Sequence, residues 1–305
     1  MKLTTSLGLL MVVIAAQAAA LEVRSVASVD VEESDIVYAA ADTLELKAHV
    51  YRPRVAGTLP ALIDIHGGAW SSGDRMQGRH YARALASAGI FVFSIDFRQA
   101  PAFQHPSASR DVASAVRYLR RHAQELRIDA TSIGLVGSSS GGHLAMLAGF
   151  QPNHADFRGT AIAIHNGFAK ADDSDASVRY VIALWPVSDP AYRYEYAKRV
   201  GRDELVKSHD RFFGTTEHMR QASVPRLLRA KEAQQLPPLF VVHAGKDANI
   251  PPEMTLDLVT SYQEAGGALT YQVYPNQPHA FGHRASAATD HLILAMRDFI
   301  AAHVR

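Results

Sequence analysis

The chain contains no cysteine. That absence excludes disulfides, thiolate zinc sites and a cysteine nucleophile. Neither sign of charge is in excess: 31 basic residues stand against 30 acidic ones, a formal charge of +1, so no overall field would gather nucleic acid or an anionic membrane. A small, roughly neutral substrate is expected instead. Neither a His-Glu-x-x-His zinc motif nor a dinucleotide-binding fingerprint occurs, and where the glycines at 68 and 73 mimic a phosphate-binding loop, Gly73-Asp74 stands in place of Gly-Lys-Ser/Thr. No metal and no organic cofactor is implied. Internal repeats and low-complexity linkers are also missing.

What remains is ordinary globular material, with 48% hydrophobic and 20% charged residues, enough apolar content for a sizeable core. The first twenty residues read differently. Lys2 precedes an apolar run over 7–16 that ends in small residues at Ala18 and Ala20, the pattern of a secretory signal peptide cleaved after Ala20. Its apolar part is shorter than the roughly 20 residues a membrane-spanning helix needs, and no later segment is apolar enough to span. The expectation is therefore export to the periplasm or the medium, without a stable membrane anchor, and a single domain over 21–305.

Short apolar, β-branched runs recur at 61–65, 90–96, 132–136, 180–185, 238–244 and 269–274. Such continuous runs suit strands buried on both faces of a parallel sheet. Between them, Val112, Val116, Leu119, Ala123 and Leu126 form one helical stripe, and Leu292, Met296, Phe299 and Ile300 another. The alternation predicts an α/β fold with helices on both faces of a mostly parallel sheet. Residues 22–51 read as an antiparallel edge. Two stretches break the rhythm: 151–179, polar and loop-like, and 186–237, helix-rich with Tyr192, Tyr194, Tyr196, Phe212 and Phe213. The second is either a lid or pocket wall, or a surface insertion whose aromatics pack locally.

The stretch GLVGSSSGGH, residues 134–143, satisfies the pattern Gly-x-Ser-x-Gly in one register, with Ser139 at its centre. A strand precedes it and a helical sequence follows, the context of a nucleophile elbow. A serine hydroxyl needs a histidine to take its proton and a carboxylate to hold that histidine. Asp247 and His279 each follow a predicted strand downstream, and the order Ser, Asp, His is the one an α/β-hydrolase requires. His283 and Asp189 are the alternatives, less favoured because His279 stands nearer its strand end and Asp247 opens a helix-starting sequence. Ser138, Ser140 and His143 are expected to pack or to touch substrate. The loop HGGAW, 66–70, follows a strand directly, and its glycines let backbone amides turn into a site; the amides of Gly67, Gly68 and Ser140 are the expected oxyanion donors. His66 is expected to be structural, and Trp70 either lines the acyl pocket or packs.

Together HGGAW, DFRQAP (96–101), RIDATSIGLVGSSSGGHLA, ASVPRLL and PNQPHAF resemble the HGG-loop esterases of the α/β-hydrolase superfamily, the grouping near hormone-sensitive-lipase-like, carbohydrate-acetyl and feruloyl esterases. The resemblance covers about residues 58–303. It implies a serine-dependent hydrolase of short acyl or carbohydrate-linked esters. Two departures stand out: Ala69 replaces the third glycine of the loop, and Ser140 follows the nucleophile where alanine is frequent. The HGG-x-W loop is similar to that of kynurenine formamidases, which makes hydrolysis of aryl formamides, or of other amides as by a peptidase, the competing activity. A non-catalytic binding module on the same fold is the reading from a different class, although such modules usually lose the nucleophile or the base.

Overall fold

Alternation of side chains along the strands explains the layering. The computed structural model describes residues 28–41, 44–165, 167–169 and 174–304; the expected leader over 1–20 lies outside them. The chain opens with β1 (Val31–Ala41) and β2 (Leu44–Pro53), then β3 (Leu59–Ile65), α1 (Arg79–Ser87), β4 (Phe91–Ile95), α2 (Ser107–Arg121), α3 (Ala123–Leu126), β5 (Ile128–Ser138) and α4 (Ser140–Phe150). It continues through β6 (Ala161–Ile164), β7 (Gly167–Phe168), β8 (Val181–Leu184) and four helices, α5 (Pro190–Arg199), α6 (Asp203–Phe213), α7 (Thr216–Gln221) and α8 (Val224–Arg229). The last elements are β9 (Leu239–Ala244), α9 (Pro252–Glu264), β10 (Leu269–Tyr274) and α10 (Ala287–His303).

The strands form one sheet in the order β10-β9-β8-β5-β3-β4-β2-β1-β6-β7. From β10 to β4 every pairing is parallel, and β2, β1, β6 and β7 continue antiparallel. In β3, Ile63 and Ile65 face one core, built with α2, α4 and α9, while Leu62 faces a second, built with α1 and α10. β9 divides likewise, with Val241 on the first side and Phe240 and Val242 on the second. A sheet covered on both faces needs apolar side chains at odd and even positions alike, so the central strands read as unbroken apolar runs. Among the described residues no helix is long and apolar enough to cross a membrane.

Two stretches depart from the sequence reading or complete it. Residues 151–179, expected as loop, contain β6, which pairs with β1 through Ala39 and Ile162 and extends the sheet edge. Four residues between polar neighbours give too short a pattern to announce a strand. Residues 186–237 hold α5 to α8. Asp189 caps α5 by accepting from Tyr192 N at 2.9 Å, with Pro190 at the first helical position. Thr215 and Ser223 cap α7 and α8 in the same manner. This helical layer sits over the ends of the parallel strands, and Phe212 and Phe213 are buried beneath it.

Candidate active site

Ser139 occupies the turn between β5 and α4 with φ 55° and ψ −117°, a conformation that costs a non-glycine residue on the order of 1–3 kcal/mol. Neighbouring strands hold it there. Ser139 N donates to Leu184 O at 2.9 Å, and Val187 N donates to Ser139 O at 3.1 Å. A Cβ on Gly137 would lie 2.2 Å from Gly141 O, and one on Gly141 would lie 2.1 Å from Ile65 O. Both flanking positions therefore require glycine, because strand, turn and helix approach within backbone contact.

The side chains expected to converge do so. His279 Nε2 lies 3.0 Å from Ser139 Oγ, and His279 Nδ1 lies 2.6 Å from Asp247 Oδ2. The second carboxylate oxygen, Oδ1, accepts from the amides of Asn249 at 2.7 Å and Ile250 at 3.0 Å. Asp247 is thus fully committed, its side chain wholly buried. This network assigns the proton of the neutral imidazole to Nδ1, leaving the Nε2 lone pair toward the serine hydroxyl. The rival residues are placed otherwise. Asp189 accepts from Tyr192 N and from Ser223 Oγ, each at 2.9 Å, and serves as a helix cap. His283 lines the same cavity, but burial and the neighbouring His279 pull its pKa down to about 4.

Two expectations need correction. The Gly67 amide, expected in the oxyanion hole, already donates to Gln77 Oε1 at 2.6 Å; the glutamine braces the loop from ten residues downstream. Among the described residues the amides of Gly68, Ala69 and Ser140 donate to no protein acceptor. Ala69 has φ 51° and follows Gly68 at φ 105°, so the loop coils in the left-handed region that only glycine enters freely. Ser140 is the first residue of α4, where backbone N–H groups have no partner within the helix. The second correction concerns Trp70. It does not line the cavity but is wholly buried, stacked on Phe212 at 5.3 Å with His143, His209 and Phe213 at its edges. It is part of the packing that anchors α6 under the loop.

The remaining neighbours are structural. His66 is buried, with Nδ1 2.7 Å from Gly67 O and its ring stacked on Phe97 at 4.2 Å, and burial lowers its pKa. His143 places Nε2 2.8 Å from Ala222 O, and burial takes its pKa down to about 3. Ser140 Oγ accepts from Trp70 N at 3.3 Å. Ser139 and His279 open onto a cavity of about 430 Å³ whose far wall is formed by Arg193, Leu205, Ser208 and Arg211 from α5 and α6. Among the described residues no group of three His, Asp or Glu side chains is arranged to hold a metal ion. Sequence reasoning missed Gln77 and the two arginines. The tyrosines around Arg193 and the basic residues after it give α5 the look of an exposed helix, and the Asp189-Pro190 pair before it is the signal that could have fixed its start.

A mostly parallel, doubly covered sheet with a strained serine between strand and helix, a histidine after the last strand and an acid after the one before define an α/β-hydrolase. The BD-FAE family model matches residues 49–262, and the chain belongs to that family. It is 27% identical over 253 residues to the probable carboxylic ester hydrolase LipM of Mycobacterium tuberculosis, covering 81% of this chain and 55% of that one. To esterase LipC of the same organism it is 29% identical over 230 residues, covering 73% and 53%. The chain thus spans about half the length of these curated relatives. Among solved structures it superposes on the acetyl ester-xyloside bifunctional hydrolase from Caldicellulosiruptor lactoaceticus with a TM-score of 0.68 at 20% identity, covering 85% of this chain and 89% of that one.

Proposed function

We propose that the protein is a serine-dependent carboxylic-ester hydrolase acting through an acyl-enzyme. The observation that carries this reading is the unbroken line Asp247 Oδ2, His279 Nδ1, His279 Nε2, Ser139 Oγ, with separations of 2.6 and 3.0 Å, open to a cavity. In that geometry His279 takes the Ser139 proton as Oγ attacks the ester carbonyl, and Asp247 stabilises the imidazolium that forms. The amides of Gly68, Ala69 and Ser140 hold the oxyanion, each such donor contributing about 10²–10³ in rate. His279 then protonates the leaving alcohol, and water repeats the sequence on the acyl-enzyme.

Short acyl or carbohydrate-linked esters are the proposed substrates. Relatives with esterase names and a cavity of modest volume support this choice. Aryl-formamide hydrolysis has less in its favour, since the Trp70 of the formamidase-like loop is buried away from the cavity. A binding module would have no use for the strain at Ser139. Export is proposed on the Lys2-led apolar run alone.

The test is hydrolysis of p-nitrophenyl acetate beside an aryl formamide, by the wild-type protein and by Ser139→Ala. Serine-dependent turnover of the ester with negligible formamide turnover is expected. A preference for the formamide would overturn the ester reading, and turnover that survives Ser139→Ala would overturn the mechanism.

A further inference from the structure

Arg193 is a buried residue of the cavity wall to which the proposed reaction gives no role. It lies in the first turn of α5 and is 1% exposed. Its Nε donates to His209 Nε2 at 3.3 Å, and its guanidinium carbon sits 5.1 Å from the centre of the Trp70 ring. Its Nη2 is buried with no hydrogen-bond partner. Neither an imidazole nor an indole neutralises a cation, and among the described residues Arg193 makes no ion pair. Buried arginines are ordinarily paired, because desolvating a charge without a counter-ion is costly. Burial pulls the Arg193 pKa down to about 9, still above neutral pH, so the side chain is held as a cation at the protein's expense.

The opposing charge that reaches Arg193 acts through space and makes no hydrogen bond to it. Asp247 is the anion whose charge reaches Arg193, but both of its oxygens are already taken by His279 and two backbone amides. Arg211 lines the same cavity from α6. The single carboxylate of the lining, Glu204, faces Lys207 Nζ at 2.8 Å. The cavity thus has a serine nucleophile in its lining and, in the same lining, a buried guanidinium with one donor nitrogen that no protein group accepts.

We propose that the ester hydrolysed at Ser139 carries a free carboxylate, which enters the cavity and is bound by Arg193, with Arg211 at the mouth. Arg193 is then the residue that determines specificity, and the substrate class is an acidic ester: one whose acyl or alcohol part ends in a carboxylate. The inference rests on the serine-esterase reading above and narrows it. Guanidinium suits this role because its planar donors match the two oxygens of a carboxylate.

The experiment compares matched esters with the full chain and its Arg193→Met and Arg193→Lys variants. 4-Acetoxybenzoate against its methyl ester places the carboxylate on the alcohol side; monoethyl adipate against diethyl adipate places it on the acyl side. In the wild type, kcat/KM for the acidic member of at least one pair should exceed that of the neutral member by about tenfold or more, mostly through KM, as a charge-assisted hydrogen bond provides. That ratio should fall towards one in Arg193→Met and be partly kept in Arg193→Lys. Competition against p-nitrophenyl acetate needs no variant: benzoate should inhibit the wild type competitively at about a tenth or less of the concentration of benzamide. Ratios at or below one for both pairs, equal inhibition by benzoate and benzamide, or a preference that survives in folded Arg193→Met would each overturn the proposal while Ser139-dependent turnover of p-nitrophenyl acetate stands. Loss of that turnover would instead remove the esterase reading, and this inference with it.

Discussion

Asp247 Oδ2 and His279 Nδ1 stand 2.6 Å apart, and the carboxylate's other oxygen is pinned by the amides of Asn249 and Ile250. The acid therefore cannot rotate away from the histidine without giving up two backbone hydrogen bonds. Asp247→Asn keeps the shape but can present an N–H to Nδ1, which favours the tautomer that turns a donor toward Ser139. The expected loss in kcat is about 10³–10⁴-fold, measured on p-nitrophenyl acetate. A loss below tenfold would mean that another acid orients His279.

Gly141 has no room for a side chain, since an added Cβ would lie 2.1 Å from Ile65 O and 2.4 Å from His66 O. Both contacts are to backbone, which cannot rotate aside. Gly141→Ala should cost about 1–3 kcal/mol of stability, as overpacking does, and lower kcat through displacement of the elbow. Urea unfolding monitored by circular dichroism, together with turnover, checks both; a variant as stable as the wild type would contradict the close approach of β3 and α4.

Trp70 is expected to matter to stability more than to substrate recognition. It fills the space between the oxyanion loop and α6, against Phe212 and Phe213. Trp70→Ala should cost about 3–5 kcal/mol, while Trp70→Phe should cost less and leave KM for p-nitrophenyl acetate within about threefold. A large KM change in Trp70→Phe at unchanged stability would return the residue to the substrate pocket.

Asp64 gives a pH dependence with a definite sign. It is buried on β3 and accepts from Tyr81 Oη at 2.7 Å and Ser94 Oγ at 2.9 Å. Desolvation nonetheless raises its pKa from 3.8 to about 6. The folded state then binds this proton more tightly than the unfolded one, so the contribution is present at low pH and is lost as pH rises from about 4 to about 6. The loss is on the order of 3 kcal/mol. Relative to wild type, Asp64→Asn should therefore fare better at pH 8 than at pH 4 in chemical unfolding. An unfolding difference that is flat with pH, or of opposite sign, would show that Asp64 is not held in this way.

Much of this was legible in the sequence because the physics was local. The glycines around Ser139 announce a close approach of backbones. Asp247 follows an apolar run that is a fully buried strand, and His279 follows β10, which reads as a strand but lies at the sheet edge and is half exposed. The helical stripe from Val112 to Leu126 proved to be α2 and α3, broken at His122. What escaped depends on contacts that no spacing encodes. Gln77 reaches back to the Gly67 amide from a loop with no periodicity. Trp70 could pack or line, and only the positions of Phe212 and Phe213 decide between them. Arg193 sits among tyrosines that mark its helix as an exposed surface, so its burial without a counter-charge becomes visible only once α5 is laid over the cavity.

The measurement that bears most directly on the central claim is covalent labelling of the intact protein with a fluorophosphonate, followed by peptide mapping by mass spectrometry. One adduct per chain on Ser139 is predicted, absent in Ser139→Ala and formed at least about 10³-fold more slowly in His279→Ala, since the general base is needed to activate the hydroxyl. Labelling of Ser138 or Ser140 instead, or a rate indifferent to His279, would contradict the account.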